Sequence, residues 1–445
     1  MVSEVSDAAA FYSLICLIFA IFVQTHQIIA MNIGLYTLTS PLHDEAAVNA
    51  SSAEFISEIE NASGIRFDFK GPDFTDYGTH DLDLIYVRTG GTEGLFKEIF
   101  WRLEGRPVHI LTSGKSNSLA ASMEILSYLN ARNHSGEIIH GSTEYIVDRI
   151  NTLIKVSTAL RKLRGSRLGV IGAPSDWLIS SGADRPCIAS RLGITLVDIP
   201  IIDLITEYGK TGTEDMEGEV GEAFRKFETK APEHLRKHIE GAFRIYLALK
   251  SIIIRHNLSG LTLRCFDLLD TLGNTGCLAL AILNAEGIPA GCEGDVPALI
   301  SMTIGNALTG VSGFQANPAR IDPEKGEILF AHCTVPLDMV RKYGFDTHFE
   351  SGIGIAICGQ MPTGDATIFK ISGDLSRVFC CEADLTETPS GPDLCRTQAI
   401  LRIAGSEAER KAVCIDYFLK KPIGNHHIIF PGRCKELFES LIEAI

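Results

Sequence analysis

No two cysteines stand in C-x-x-C spacing anywhere in the chain, and no block of basic residues interrupts it. The first absence excludes a zinc ribbon. The second, together with a formal net charge of -15, excludes a nucleic-acid backbone as a partner. A phosphate loop is missing as well. Gly114-Lys115-Ser116 would need a glycine five places before Gly114, and that position is His109, inside an apolar run. Gly90-Gly91-Thr92-Glu93-Gly94 lacks the dinucleotide spacing. Each of these two loops is therefore either a contact for some other polar ligand or a turn that needs glycine. Residues 8–23 are apolar and uncharged, but no Lys or Arg precedes them as in a signal peptide. The run also falls short of the ~20 residues that span a bilayer comfortably. No stable membrane association is expected, and residues 1–30 read as an extension outside the fold, with a membrane anchor as the alternative.

What is present is the composition of a folded enzyme-sized chain. With 45% hydrophobic and 21% charged residues over 445 positions, the sequence is globular and long enough for two or three domains of roughly 100–200 residues. Its twelve cysteines are scattered, mostly in apolar surroundings such as Ile357-Cys358-Gly359 and Phe379-Cys380-Cys381. They read as reduced, buried thiols of a cytoplasmic protein.

From Met31 onward, apolar runs alternate with Gly/Ser/Thr loops and helical spacing. Residues 33–38, 84–87 and 108–111 read as strands, and 45–59 as a helix. A second set begins near Arg167, with strands at 168–172, 194–199 and 260–267, solvated helices over 213–250 broken at Pro232, and a buried helix over 274–284. This alternation predicts doubly wound α/β domains, whose ligands meet the carboxyl ends of the strands. After Glu293 the texture changes to short strand-like pieces at 327–331, 352–358, 366–371, 378–383 and 399–403. The expected fold is α/β: two doubly wound domains, 31–165 and 166–300, followed by a β-rich C-terminal domain, 301–445, an antiparallel sheet or barrel.

The chemistry concentrates in Cys292-Glu293-Gly294-Asp295 and in three later segments. Two carboxylates stand two residues apart after a Gly-Ile-Pro-Ala-Gly turn. Asn317, in Phe314-Gln315-Ala316-Asn317-Pro318, then His332, in Phe330-Ala331-His332-Cys333, and a late pair, His426-His427, come from separate parts of the chain. Glu, Asn, His and His gathered in this way suit a hard or borderline divalent cation that keeps positions open for a substrate. Trp177, in a Ser-Asp-Trp loop after a strand, is either a platform for apolar C–H surface or a residue closing its own core.

These segments, Cys-Glu-Gly-Asp with Ala-Leu after it, Phe-x-Ala-Asn ahead of Asp-Pro-Glu, Phe-x-His-Cys, and a late His-His, resemble the L-fucose/L-arabinose isomerase superfamily. The likeness is closest to its shorter fucose-isomerase-like branch and covers the chain from Met31 to the end. It implies a three-domain subunit, a Mn2+-type cofactor, interconversion of an aldose and a ketose, and a homo-oligomer with sites near subunit contacts. By position, Glu293 matches the first metal-binding carboxylate and His332 a metal-ligand histidine. The late ligand falls on His426 or His427, with His427 preferred. Asn317 departs from the pattern, because the fucose-isomerase branch carries a carboxylate there as ligand and acid/base group. An amide offers a carbonyl oxygen to a metal but exchanges no proton near neutral pH.

Aldose–ketose isomerisation moves one proton between carbons and another between oxygens, so two groups are needed. Glu293 serves as the first. For the second, Asp295 and Glu350 are the leading candidates, with Asp322, Asp346 or a metal-bound water behind them. His348 and Glu350 flank Phe349 in a polar island, as if facing a cavity or each other. Arg396 is a candidate for the substrate pocket or a structural ion pair. The expected protein is a metal-dependent sugar isomerase working through an enediolate. The alternatives are a non-catalytic sugar- or metal-binding relative, or another metal-assisted reaction on a sugar, epimerisation or hydrolysis.

Overall fold

Ile33–Leu38 is buried at every one of its six positions, as a strand must be when both faces of its sheet are covered. In the computed structural model, which describes residues 32–103, 105–212 and 215–445, it forms β1. The expected extension at residues 1–30 lies outside the described residues. Two compact units emerge. One comprises the described residues up to Arg161 with Glu439–Ile445, and the other Lys162–Phe438.

The first unit is built on a five-stranded parallel sheet in the order β2-β1-β3-β4-β5. Its strands are β1 (Ile33–Leu38), β2 (Phe67–Gly71), β3 (Leu82–Val87), β4 (Val108–Leu111) and β5 (Gly136–Ile139). Helices α1 (Glu45–Ser63), α2 (Glu93–Ile99), α3 (Ser118–Asn130) and α4 (Thr143–Leu163) connect them. Successive strand residues feed two different apolar clusters. Tyr36, Ile85 and Ile110 belong to one, and Leu35, Leu84 and Leu111 to the other, so both faces are packed. Helix α1 starts where the Asp44 carboxylate accepts from the Ala47 amide at 2.7 Å and stops at Gly64, which adopts φ 74°.

The second unit joins a four-stranded parallel sheet, in the order β7-β6-β8-β9, to a closed six-stranded antiparallel barrel. The sheet comprises β6 (Arg167–Ile171), β7 (Thr195–Ile199), β8 (Gly260–Leu263) and β9 (Ala290–Cys292). Around it run α5 (Arg185–Leu192), α6 (Ile201–Lys210), α7 (Gly218–Lys230), α8 (Arg236–His256), α9 (Asp267–Leu272), α10 (Cys277–Ala285) and α11 (Val296–Thr309). The barrel order is β10-β11-β16-β15-β14-β17. Its strands are β10 (Phe314–Asp322), β11 (Glu327–His332), β14 (Gly364–Ile371), β15 (Val378–Glu387), β16 (Thr397–Ile403) and β17 (His427–Pro431). A separate hairpin pairs β12 (Lys342–Asp346) with β13 (Ala356–Gln360). The α/β domains and the β-rich barrel match the fold class expected from the sequence.

Several details differ from that expectation. Helix α8 is not a solvated helix. Ile239, Ala242, Phe243, Tyr246, Leu249 and Ile253 recur at helical spacing and are buried. Strand β8 ends at Leu263, and the chain has turned into α9 by Asp267. The expected strand at 352–358 begins only at Ala356, because Gly352 and Gly354 hold left-handed conformations at φ 64° and 68°. A Cβ on Gly354 would lie 2.7 Å from the Thr275 amide nitrogen. Helix α11 runs straight across position 300 and is clamped to the barrel. The Ser301 hydroxyl accepts from the Ile371 amide at 3.1 Å, and the Phe430 ring occupies the space a Cβ on Gly305 would need. That clamp places the loop at the start of α11 beside the barrel. Among the described residues no helix is long and apolar enough to cross a membrane.

Candidate metal and active site

The end of β9 is pinned before the functional loop begins. The Cys292 amide donates to the Gln315 side-chain oxygen on β10 at 2.8 Å. The next two residues are left-handed, Glu293 at φ 64° and Gly294 at φ 71°. Only glycine fits the second position, since a Cβ there would lie 2.4 Å from the Ala173 carbonyl oxygen. Glu293 has no such freedom, and its strained backbone is held by the loop after β6, where the Ser175 amide donates to the Glu293 carbonyl at 2.9 Å. Asp295 then caps α11, accepting from the Ala298 amide at 2.8 Å.

This turn directs the Glu293 carboxylate toward two histidines of the barrel. Oε1 lies 3.8 Å from His332 Nε2 and 3.5 Å from His426 Nε2. The ligand atoms of Glu293, His332 and His426 all lie within 4.8 Å of one another, and all three residues are buried. The far side of each group is secured. Trp177 Nε1 donates to Glu293 Oε2 at 2.6 Å, His332 Nδ1 meets the Thr334 hydroxyl at 2.9 Å, and His426 Nδ1 meets Asp295 Oδ2 at 2.8 Å. His426 Nε2 is buried and takes no hydrogen bond.

The electrostatics are set by that packing. Burial opposes ionisation of Glu293, but the imidazoles of His332 and His426 facing it outweigh that and hold the carboxyl far below its ordinary range. Burial lowers the pKa of His332, only partly offset by Glu293. Burial acts the same way on His426, yet Asp295 and Glu293 override it and raise the imidazole to about 9. Asp295 is held down to about 2, with burial opposed by the Lys370 charge and by His426. Such a carboxylate–histidine pair fixes the tautomer and ring orientation of a metal-binding imidazole. The orphaned Nε2 aimed at a carboxylate and a second imidazole is therefore a donor set that fits a divalent cation, which would take the place of the His426 proton.

The residues singled out in the sequence separate into those gathered here and those placed elsewhere. Asn317 is set between the histidine-bearing strands. It pairs with Ala331, next to His332, and follows Ala316, which pairs with His427. Its Oδ1 is buried without a hydrogen-bond partner. Trp177 is 53% exposed at the edge of the cluster, so it does not close a core, and it packs edge-on against Phe266 at 4.8 Å. Phe266 in turn meets His348 edge-on at 5.2 Å. His348 is buried, bonded to the Ser351 hydroxyl at 3.1 Å, and lowered to about 4 by burial, so it is a neutral imidazole.

The geometry overturns three assignments and decides a fourth, Arg396, that the sequence left open. His427, preferred over His426 as the late ligand, points the other way. Its Nε2 bonds the Tyr417 hydroxyl at 2.8 Å, its Nδ1 meets the Asn425 carbonyl at 3.1 Å, and Phe330, Phe379 and Phe418 surround it. His427 opens β17 with its side chain turned into this aromatic cluster, and His426, in the loop just before the strand, is the one directed at Glu293. Asp295 is not an available acid or base, because each oxygen has a partner, Ala298 on one side and His426 on the other. Glu350 lies exposed in the turn before β13 and does not join the cluster. Arg396 is engaged with the Asp346–Phe349 loop, donating to the Thr347 carbonyl at 2.9 Å and pairing with Asp346 at 3.3 Å.

Lys370 escaped the sequence reading. It is 1% exposed on β14, its ammonium makes no hydrogen bond, and Asp295 Oδ2 lies 3.7 Å away. The signal was present: one cation inside the otherwise uncharged run Ala366-Thr367-Ile368-Phe369-Lys370-Ile371. A buried lysine is costly unless a carboxylate compensates it, and here the carboxylate is the one that orients His426.

Comparison with known proteins adds relatives. The chain is 26% identical over 266 residues to a sulfoquinovose isomerase of Priestia aryabhattai, covering 58% of this chain and 59% of that protein. It is 26% identical over 238 residues to a sulfoquinovose isomerase of Clostridium sp. (strain MSTE9), covering 51% and 52%, and 21% identical over 263 residues to one of Alkalicoccus urumqiensis, covering 57% and 59%. The chain thus spans a little over half the length of the curated relatives it matches. No protein-family model matches it.

Proposed function

We propose that the chain is a metal-dependent sugar isomerase that interconverts an aldose and a ketose through an enediolate, with Mn2+ as the first cation to test. The observation that carries this reading is the buried convergence of Glu293, His332 and His426, with His426 backed by Asp295 and left with an unpartnered Nε2. The similarity to sulfoquinovose isomerases supports the reaction class and makes sulfoquinovose the first sugar to test. A cation held by these three residues would supply Lewis-acid stabilisation of charge developing on the sugar oxygens. The protein's own groups have separate tasks. Asp295 and Lys370 fix the orientation of His426. Trp177 holds one oxygen of Glu293, and its half-exposed ring offers a face to sugar C–H groups. Glu293, kept ionised, takes the proton from carbon. With Asn317 unable to exchange a proton and Glu350 exposed, the neutral His348 is the candidate to carry the oxygen-borne proton. None of the eleven described cysteines is held in a disulfide, which supports a reducing, cytoplasmic setting. A homo-oligomer belongs to the same proposal.

One observation favours a second reading, a sugar- or metal-binding protein without turnover: Asn317 stands where the resembling family carries a carboxylate. The discriminating experiment incubates the full chain with Mn2+ in D₂O and a panel of pentoses, hexoses, deoxysugars and sulfoquinovose. The expected result is deuterium at C2 of at least one aldose together with its ketose. Metal binding without deuterium entering any sugar would leave the second reading standing. Deuterium with only an epimer formed, or a cleaved product, would replace isomerisation by another metal-assisted reaction.

A further inference from the structure

The first unit carries a cavity that the isomerase reading does not use. In the order β2-β1-β3-β4-β5 the chain changes direction between β1 and β3, and ligands of such sheets bind at the carboxyl ends of the strands at that point. A cavity of about 250 Å³ opens there. His43 and Asp44 come from the loop after β1, Arg88 from the end of β3, Ser113, Lys115 and Ser116 from the loop after β4, and Ser51 and Ser52 from α1. The two glycine-rich loops of the sequence thus come together. The Gly90 amide donates to the Ser116 carbonyl at 2.7 Å, and Ser116 and Asn117 hold left-handed conformations at φ 53° and 58° although neither is glycine. Consecutive strained residues of this kind persist where surrounding structure over-determines them, commonly at ligand sites.

The charges indicate which ligand fits. Arg88 is hydrogen-bonded to neutral groups, its Nε to the Ser52 hydroxyl at 2.9 Å and its Nη2 to the Asn49 side-chain oxygen. Burial lowers its pKa, with Tyr86 and Glu45 acting on it in the opposite direction. Lys115 is half-exposed and only loosely paired with Glu54 at 3.5 Å. Asp44, the carboxylate in the lining, is exposed to solvent and turns its Oδ1 to the cap of α1. A partly desolvated guanidinium, an exposed ammonium and several hydroxyls around a small cavity match a tetrahedral oxyanion, which accepts on every oxygen. We infer that this cavity binds a phosphate-, sulfate- or sulfonate-type group of a small molecule, with Arg88 and Lys115 as its cationic partners. This goes beyond the isomerase reading and does not rest on it.

Calorimetric titration of the full chain at constant ionic strength tests the inference, using inorganic phosphate and methanesulfonate as separate probes and glucose as a neutral polyol. Saturable one-site binding of at least one anion is expected, and whichever probe binds more tightly identifies a phosphorylated or a sulfonated ligand. Lys115→Gln, at an exposed position where folding is unaffected, should weaken that binding about tenfold, the effect of one lost charge-assisted contact. Arg88→Gln should weaken it more, with its thermal transition recorded beside it as a control on folding. Absence of saturable binding by either anion would overturn the inference. So would unchanged affinity in Lys115→Gln and a folded Arg88→Gln, or glucose binding more tightly than both anions.

Discussion

Glu293→Gln should reduce sugar deuterium exchange by roughly a thousandfold or more, the scale of a lost general base, and weaken Mn2+ binding in the same protein. Three effects coincide at this side chain. Gln offers a neutral oxygen where a hard cation prefers an anionic one. It accepts no proton from carbon at neutral pH. It also removes the negative charge that, with Asp295, holds His426 Nε2 in its place at 3.5 Å. The loop itself should survive, because the backbone of Glu293 is held by Ser175 and the side-chain oxygen can still accept from Trp177. Metal titration and exchange kinetics on a folded Glu293→Gln protein check this. Retention of both would remove Glu293 from the site.

The two adjacent histidines should behave oppositely. His426→Ala deletes a donor and leaves Asp295 and Glu293 without their shared cationic partner, so Mn2+ affinity should fall about a hundredfold or more, above the loss seen for residues that only support a ligand. His427→Ala should leave Mn2+ affinity within about twofold. Its cost falls on the barrel, where the Tyr417 hydroxyl loses its partner and a cavity opens among Phe330, Phe379 and Phe418, for roughly 2–4 kcal/mol of stability. Denaturant unfolding beside metal titration reads both quantities. The opposite pattern, metal lost with His427 and kept with His426, would invert the arrangement.

The contrast between these neighbours shows what a single sequence reveals and what it hides. Strands β1 and β3 were legible because parallel strands covered on both faces read as continuous apolar runs, and four of the barrel's six strands because they stand as short apolar pieces between turns; β10, interrupted by Pro318, and β17 were not among the strands read. The loop carrying Glu293 was legible from its spacing of carboxylates and glycine. Choosing between His426 and His427 needs the phase of β17 against the rest of the barrel, which no local pattern fixes. Asp295 looked like a catalytic group because its partner, His426, lies 131 residues away. Lys370 carried its signal in the strand, but its meaning depends on Asp295, brought beside it only by α11 packing on the barrel. Glu350 and Arg396 looked like site residues by composition alone. The turn leaves one exposed, and Asp346 and Thr347 engage the other.

The position of a bound cation is the most direct test. Crystals of the full chain soaked in Mn2+ and measured at the manganese absorption edge should give an anomalous peak bounded by Glu293 Oε1, His332 Nε2 and His426 Nε2, with Asp295 still bonded to the far nitrogen of His426. The contradicting result is equally definite: at saturating Mn2+, a peak elsewhere in the molecule, or none, with these three side chains left without an ion.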